Sequence, residues 1–347
     1  MRTHTYRTID VAVKGAEPTG DRSGAGPDDG SFVAEPAGSG TGAGPDDGPS
    51  DGGTLRVGIW DPVEPGEGAD VPTALLIHGV TASHLAWPFV VEQLPGHRLI
   101  APDLRGRGGS RHVGGASSMS THAQDMLAVL DACGAETAAV VGHSMGAFVA
   151  VVLADAAPAR VSHLVLVDGG LPFDLPASTD LAPEQLVHAI LGPTAERLSM
   201  QFADVEDYLD FWRDHPAFQD AWSDEVEEYF AYDLVPADTG LHPSTSLRTT
   251  IEDTFDLHTG ATLPAALARL VGGPERTVRF YTVPRGLQDE EPGLYAPEYI
   301  DTLLADSPAI DHRRLEGLNH YTVVMSQHGA ARLGDLLREA FEEAPEG

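Results

Sequence analysis

One stretch of the sequence, residues 138–157, constrains the fold more than any other. It is almost entirely apolar, but the pentapeptide GHSMG at 142–146 interrupts its centre. The apolar residues before the pentapeptide predict a short buried strand, and those after it predict a buried helix. A cramped turn with a glycine on each side leaves a serine hydroxyl projecting at the edge of a sheet. We therefore expect Ser144 to be a nucleophile on a strand–turn–helix unit.

The rest of the chain predicts a sheet in which that strand can lie. From residue 73 onward, short apolar runs alternate with helix-length segments, which is typical of a parallel sheet with crossover helices. Two alternating segments nearer the N-terminus predict a neighbouring antiparallel pair. The predicted strands are 5–13, 54–59, 74–77, 98–101, 138–141, 163–167, 279–283 and one near 311–315. The fold class is therefore α/β.

Two segments do not follow this alternation of strand-length and helix-length runs. Residues 15–53 are rich in glycine and proline, and GAGPDDG occurs there twice, so we expect a disordered acidic insertion between the first two strands. Residues 171–262 hold 11 of the 23 aromatic residues, interleaved with carboxylates in a pattern typical of amphipathic helices. We expect a helical cap at 171–262 over a core formed by 1–170 and 263–347.

A serine nucleophile needs a base, because its hydroxyl is weakly nucleophilic on its own. In open α/β sheets the ligand crevice lies outside the carboxyl ends of the strands. His320 follows the last predicted strand and is the expected base. His312, at or before that strand, and His328, on the expected closing helix, are weaker alternatives.

The base in turn needs a carboxylate that fixes its tautomer and stabilises the imidazolium. Asp289 follows the strand at 279–283 after a short loop, and Asp168 ends the strand before it. Asp289 is preferred, because an aspartate directly at a strand end is often only a turn or capping residue. Asp168 is kept as the alternative acid, and Glu290 and Glu291 are weaker candidates.

The oxyanion of a tetrahedral intermediate needs donors that are aimed before the reaction begins. The expected donors are the backbone N–H groups of Met145, directly after the nucleophile, and Val80, in the turn after the strand at 74–77. Neighbouring polar residues and cap aromatics are candidates for binding substrate, although the histidines among them fit scaffold roles better. These candidates are His78, Gly79, His143, Trp212 and Trp222.

Composition limits the classes of partner and the kinds of site that this chain can have. Lys and Arg total 21 against 53 Asp and Glu, giving a formal charge of −32, which disfavours nucleic acid and anionic membranes. A single cysteine, Cys133, cannot form an internal disulfide or a cysteine-based zinc site, and no apolar leader is evident. The 15 histidines include no H-E-x-x-H spacing. We expect a cytoplasmic protein with no metal, no cofactor and no membrane segment.

These residues together resemble the α/β-hydrolase superfamily, and within it the capped serine hydrolases similar to esterases and lipases. The resemblance rests on HG at 78–79, DLRGRGGS at 103–110, GHSMG at 142–146, the G-x-x-D at 286–289 and NH at 319–320, and it covers about 54–343. It implies an eight-stranded, mostly parallel sheet, a cap after strand six, and the order Ser…Asp…His. The loop at 103–110 is structural in that family. Serine at 144 argues against the family's dehalogenases and epoxide hydrolases, which carry aspartate there.

An activated serine beside oxyanion donors makes acyl transfer to water the expected reaction. The cap segment has three arginines against 19 carboxylates, which would slow anionic substrates. We expect a small, neutral, apolar or aromatic ester-like substrate. Lactone hydrolysis, carbon–carbon bond hydrolysis, cofactor-free perhydrolysis and a non-catalytic ligand receptor are alternatives on the same fold. The oligomeric state stays open.

Overall fold

The structure is a computed structural model that describes residues 3–15, 52–63, 71–174, 182–272, 277–305, 307 and 309–343. The acidic insertion predicted at 15–53 lies almost wholly outside the described residues. Its disorder therefore stays a prediction.

The described residues form ten strands. They are β1 His4–Lys14, β2 Gly52–Pro62, β3 Thr73–Ile77, β4 Arg98–Pro102, β5 Ala138–His143, β6 Val161–Val167, β7 Leu234–Pro236, β8 Leu241–Pro243, β9 Val278–Thr282 and β10 Ile310–Arg314. Eight of them make one sheet in the order β1-β2-β4-β3-β5-β6-β9-β10, and β7 pairs with β8 separately. All eight strands predicted from the sequence lie in the large sheet.

Pairing directions in the large sheet match the prediction. β2 runs antiparallel to both β1 and β4, whereas the remaining neighbours are parallel. All six residues of β5 are buried, because helices cover both faces of its part of the sheet. The expected eight-stranded, mostly parallel α/β-hydrolase sheet is thus confirmed, and its parallel strands bring their carboxyl ends to one edge.

Twelve α-helices lie within the described residues. They are α1 Pro88–Val91, α2 Met119–Ala132, α3 Met145–Ala156, α4 Pro183–Leu191, α5 Pro193–Glu196, α6 Val205–Arg213, α7 Asp224–Tyr232, α8 Leu247–Thr259, α9 Thr262–Gly272, α10 Pro297–Leu304, α11 Thr322–Met325 and α12 Gln327–Glu342. Serine hydroxyls cap the N-termini of α2, α7, α8 and α12. No helix of the described segments has the length and apolar character required to cross a bilayer.

The chain between β6 and β9 is helical, as its amphipathic pattern predicts. It carries α4 to α9 and the β7–β8 pair, and its aromatic side chains pack on one another. Trp212 stacks on Phe230 with ring centroids 4.1 Å apart, and Trp222 stacks on the same ring at 5.9 Å. The limits of a separate cap domain, 171–262, stay a prediction.

Candidate active site

The turn between β5 and α3 holds Ser144 in a strained conformation. Its φ of 55° and ψ of −124° lie where side chains other than glycine are uncommon. Glycine is required on both sides: a Cβ at Gly142 would lie 2.3 Å from the Gly146 carbonyl oxygen, and one at Gly146 would lie 2.1 Å from the Ile77 carbonyl oxygen. The Ser144 N–H donates to the Val167 carbonyl at 2.9 Å, which fixes the turn against β6.

His320 contacts a buried carboxylate in the loop after β6. The Nδ1 atom of His320 lies 2.7 Å from Oδ2 of Asp168, which is fully buried. The Asp168 N–H donates to the Tyr281 carbonyl at 2.8 Å, so β9 holds the aspartate in place. An ionised carboxylate only accepts hydrogen bonds, so Nδ1 carries the proton and the Nε2 lone pair is left free.

Backbone contacts fix the loop that carries His320. Its N–H donates to the Arg285 carbonyl at 2.9 Å, and its carbonyl accepts a bond of 2.8 Å from Nε2 of His143. Burial first, and the electrostatic interaction with the neighbouring His320 imidazole second, lower the pKa of His143 well below its usual value. A neutral His143 therefore holds the backbone of His320 in place through the hydrogen bond that it donates to the His320 carbonyl.

Asp289, the acid preferred from the sequence, contacts other residues than the imidazole of His320. Its Oδ1 accepts a bond of 2.8 Å from Nδ2 of Asn319 and pairs with Nε of Arg285 at 3.0 Å. Asp289 thus holds the residue before His320 rather than the imidazole. Asp168, the alternative, contacts the imidazole because β6 lies directly between β5 and β9, so its end faces both Ser144 and the loop of His320.

The turn after β3 presents the Val80 amide. The Leu104 N–H donates to Nε2 of His78 at 3.0 Å, so Nδ1 of His78 carries the proton and donates to the Gly79 carbonyl at 2.7 Å. The N–H and C=O of a trans peptide point in opposite directions. Since the Gly79 carbonyl faces His78, the Val80 N–H is directed away from it. Val80 and Met145 both line the cavity described next.

A cavity of about 410 Å³ contains Ser144 and His320. Its other walls are mainly apolar, and α4 and α8 supply part of them. Among the described residues, neither the Ser144 hydroxyl nor Nε2 of His320 has a hydrogen-bond partner, so both face the open space. The lining residues are Val80, Ser144, Met145, Phe148, Phe173, Asp174, Leu186, Ile190, Leu191, Thr254, Leu257, His258, Leu287, Gly293, Leu294 and His320.

The residues predicted to bind substrate lie outside this lining. His78 and His143 are buried and make the backbone contacts described above, and Gly79 packs behind Ser144. Trp212 is buried in the aromatic cluster, and Nε1 of Trp222 donates to Glu227 at 2.8 Å. These five residues pack against other side chains or hold backbone, and none of them lines the cavity that contains Ser144 and His320, so their role in substrate binding stays a prediction.

The aliphatic walls were missed by the sequence reasoning. Leu186, Ile190 and Leu191 on α4 face the cavity together with Leu257 on α8. Their helical spacing was a signal for an apolar face. The sequence could not tell which of several apolar faces covers the crevice.

Asp103 has a structural position, as expected for the loop at 103–110. It is fully buried and accepts bonds from Nδ1 of His84 at 2.7 Å and from the Tyr232 hydroxyl at 2.7 Å. Tyr232 belongs to α7, so this carboxylate ties the helical segment to the core. The described residues contain no cluster of His, Cys, Asp or Glu arranged for a metal ion.

Buried neutral histidine makes stability depend on pH. Burial, which disfavours the imidazolium, lowers the pKa of His78 from 6.5 to about 4. Between these values the unfolded chain binds the proton and the folded chain does not, so acidification favours unfolding. From about pH 7.5 to about pH 5, His78 alone should lower the free energy of unfolding by about 2 kcal/mol.

Urea unfolding at the two pH values measures this effect. His78→Asn keeps a donor for the Gly79 carbonyl and removes the titration, so the difference between the two pH values should shrink by about 2 kcal/mol. An unchanged difference in the variant would contradict a neutral buried His78.

Known proteins resemble this chain in sequence. A family model described as the alpha/beta hydrolase fold matches residues 72–282. The lipase LipV of Mycobacterium tuberculosis is 34% identical over 136 residues, which cover 38% of this chain and 52% of LipV. A putative carbamate hydrolase, RutD of Azorhizobium caulinodans, is 40% identical over 103 residues, 29% of this chain and 38% of RutD. The chain thus spans about half the length of LipV and less of RutD.

Solved structures share the fold. The peroxisomal alpha-beta-hydrolase Lpx1 from Saccharomyces cerevisiae has a TM-score of 0.69 at 15% identity, covering 97% of this chain and 89% of Lpx1. The structure of E-2-(acetamidomethylene)succinate hydrolase has a TM-score of 0.62 at 17% identity, covering 83% and 96% of the two chains. At such identities the likeness concerns the fold alone.

Proposed function

The chain belongs to the alpha/beta hydrolase family, and from this we propose that it is a serine hydrolase acting on neutral, apolar or aromatic ester-like substrates. Ser144 is the nucleophile, His320 the base and Asp168 the acid. The observation that carries the proposal is the 2.7 Å contact between Oδ2 of Asp168 and Nδ1 of His320. The imidazole of His320 lines the same mainly apolar cavity as Ser144.

Each residue has a defined step in this reaction. Nε2 of His320 takes the Ser144 proton while Oγ attacks the substrate carbonyl. The Met145 and Val80 N–H groups stabilise the resulting oxyanion. The imidazolium then protonates the leaving alcohol, and the same imidazole activates the water that releases the acyl group. Asp168 stays ionised and stabilises the imidazolium throughout.

The cavity supports a neutral substrate. Aliphatic and aromatic side chains form most of its walls, and Asp174 adds a negative charge rather than a positive one. Burial lowers the pKa of His258, so this second histidine in the lining is neutral at neutral pH. Among the described lining residues, a carboxylate or phosphate of the substrate would therefore have no cation to pair with.

The helices between β6 and β9 act as the cap in this proposal. Side chains of α4 and α8 form the wall opposite the sheet, which excludes water from the acyl group and selects its shape. Substrate preference is therefore assigned to these aliphatic residues rather than to the aromatic cluster. The surface of the same segment is acidic, so approach of anionic esters is slowed as well.

A panel of p-nitrophenyl esters tests the substrate class. Neutral butyrate and hexanoate esters should exceed a hemisuccinate ester of similar size by at least about 100-fold in kcat/KM, since burying an unpaired carboxylate costs several kcal/mol. Ser199→Ala, at an exposed serine of the helical segment, should leave the ratio unchanged. A preference for the hemisuccinate, or for an acyl-CoA thioester at low salt, would overturn the assignment of a neutral substrate.

A further inference from the structure

The loop after β3 has three consecutive carbonyls that are all hydrogen-bonded. The Gly79 carbonyl accepts from Nδ1 of His78 at 2.7 Å and from the Ala82 N–H at 3.2 Å. The Val80 carbonyl accepts from Nε of Arg107 at 2.8 Å, and the Thr81 carbonyl accepts from Nη2 of Arg197 at 3.3 Å. Two arginines distant in sequence therefore converge on the loop that presents the Val80 N–H.

Arg107 reaches this loop from the core. Its side chain is fully buried, and its Nη1 donates to the Arg105 carbonyl at 2.8 Å. The same Nη1 lies 2.6 Å from Oδ2 of Asp253, a buried residue of α8. The other oxygen of Asp253 accepts from the Ser117 hydroxyl at 2.6 Å. One guanidinium thus joins the loop after β3, the loop at 103–110 and helix α8.

Arg197 reaches the same loop from the helical segment. It is buried, and its Nη1 donates to Oδ2 of Asp233 at 2.6 Å and to the Tyr208 hydroxyl at 2.7 Å. Its guanidinium also lies over the Trp212 ring, 5.1 Å from the centroid. Oδ1 of Asp233 accepts from Ser244 and Thr245, so the anchor is itself held in place.

We propose that Arg107 and Arg197 are positioning residues for the oxyanion hole. They hold the carbonyls of Val80 and Thr81, and each anchors the loop to a carboxylate on the chain between β6 and β9. This inference rests on the proposed serine-hydrolase function and extends it, because the helical segment then fixes an oxyanion donor as well as covering the substrate.

Arginine suits this role better than lysine. A planar guanidinium donates several bonds in fixed directions, so it can hold a carbonyl and a carboxylate at once. Lysine carries one rotatable ammonium and cannot reproduce both contacts from the same position. Because an oxyanion donor acts on charge that develops during the reaction, a small displacement of Val80 should affect the transition state and spare substrate binding.

Arg107→Lys and Arg197→Lys test the proposal with p-nitrophenyl butyrate. Each should lower kcat per active site by about 10-fold to 100-fold with KM within about twofold, less than the complete loss of one oxyanion donor. Affinity for a trifluoromethyl ketone, which forms a tetrahedral oxyanion on the serine, should fall by the same factor. Fluorophosphonate titration counts the active sites, so a smaller folded fraction cannot imitate the effect. Arg213→Lys, at a half-buried arginine of α6 that pairs with Glu206 and Glu227, is the matched control and should change neither quantity.

If a lysine variant does not fold, Asp253→Asn and Asp233→Asn provide a second pair of test variants that keep both arginines. Each of them should lower kcat and ketone affinity in parallel, by a smaller factor than the lysine variants do. Unchanged kcat and ketone affinity per titrated site, in folded variants of both pairs, would overturn the positioning role. Wild-type turnover tests the proposed function separately, since the positioning role concerns only the ratio of variant to wild type.

Discussion

Ser144→Ala is expected to lower kcat for a neutral p-nitrophenyl ester by about 10⁵-fold to 10⁶-fold. The substitution removes the oxygen that forms the acyl-enzyme in the proposed mechanism and leaves the cavity, the donors and the apolar walls in place. The residual rate should be the small one that binding and oxyanion stabilisation give without a nucleophile. Steady-state kinetics on the purified variant measures the loss, and KM should stay close to the wild-type value.

Ser199→Ala is the control for this experiment, since it removes an exposed hydroxyl that does not line the cavity and should retain full activity. Thermal melting of both variants establishes that they are folded. If Ser144→Ala kept more than about one per cent of the wild-type rate, a different nucleophile would be required, and the acyl-enzyme mechanism would be refuted.

Asp168→Asn is expected to lower kcat by about 10⁴-fold. An amide side chain can donate to Nδ1 of His320, so it favours the tautomer whose Nε2 carries the proton and cannot accept one from Ser144. The loss arises in kcat, because Asp168 lies behind the imidazole and does not line the cavity.

Asp289→Asn is the matched control, because it makes the same change in the carboxylate that contacts Asn319 instead of His320. Its effect on kcat should stay within about tenfold, through a small displacement of the histidine loop. If Asp289→Asn lost more activity than Asp168→Asn, the sequence-based preference would be right and the hydrogen bond to Asp168 would not identify the acid.

These two aspartates mark where sequence reasoning reached its limit. Ser144 and His320 could be located from local patterns, because a strand–turn–helix unit and the end of the last strand each determine a position at the sheet edge. The acid could not be located from a local pattern, since β6 and β9 are neighbours and an aspartate after either strand can approach the same histidine. The Gly-x-x-Asp spacing favoured Asp289. The signal for Asp168 was its place directly at the strand end, with two glycines following.

The fold was more predictable than the pocket. Long apolar runs such as β5 are buried on both faces, so periodicity and composition are enough to find them. Trp212 and Trp222 have equally clear spacing, but whether an aromatic residue faces its neighbours or a ligand depends on how helices pack. For a related reason the sequence did not indicate the contacts of Arg107 and Arg197, because their partners lie far away in sequence and meet them only in the folded chain.

The most direct test of the central claim is to find where a fluorophosphonate attaches. Peptide mapping by mass spectrometry of the labelled wild-type protein should give one adduct, on the peptide that contains Ser144, formed much more slowly in Asp168→Asn. Labelling at another residue, or a folded wild type that stays unlabelled while it binds ester substrates, would contradict a Ser144 nucleophile activated by His320 and would favour a ligand receptor on the same fold.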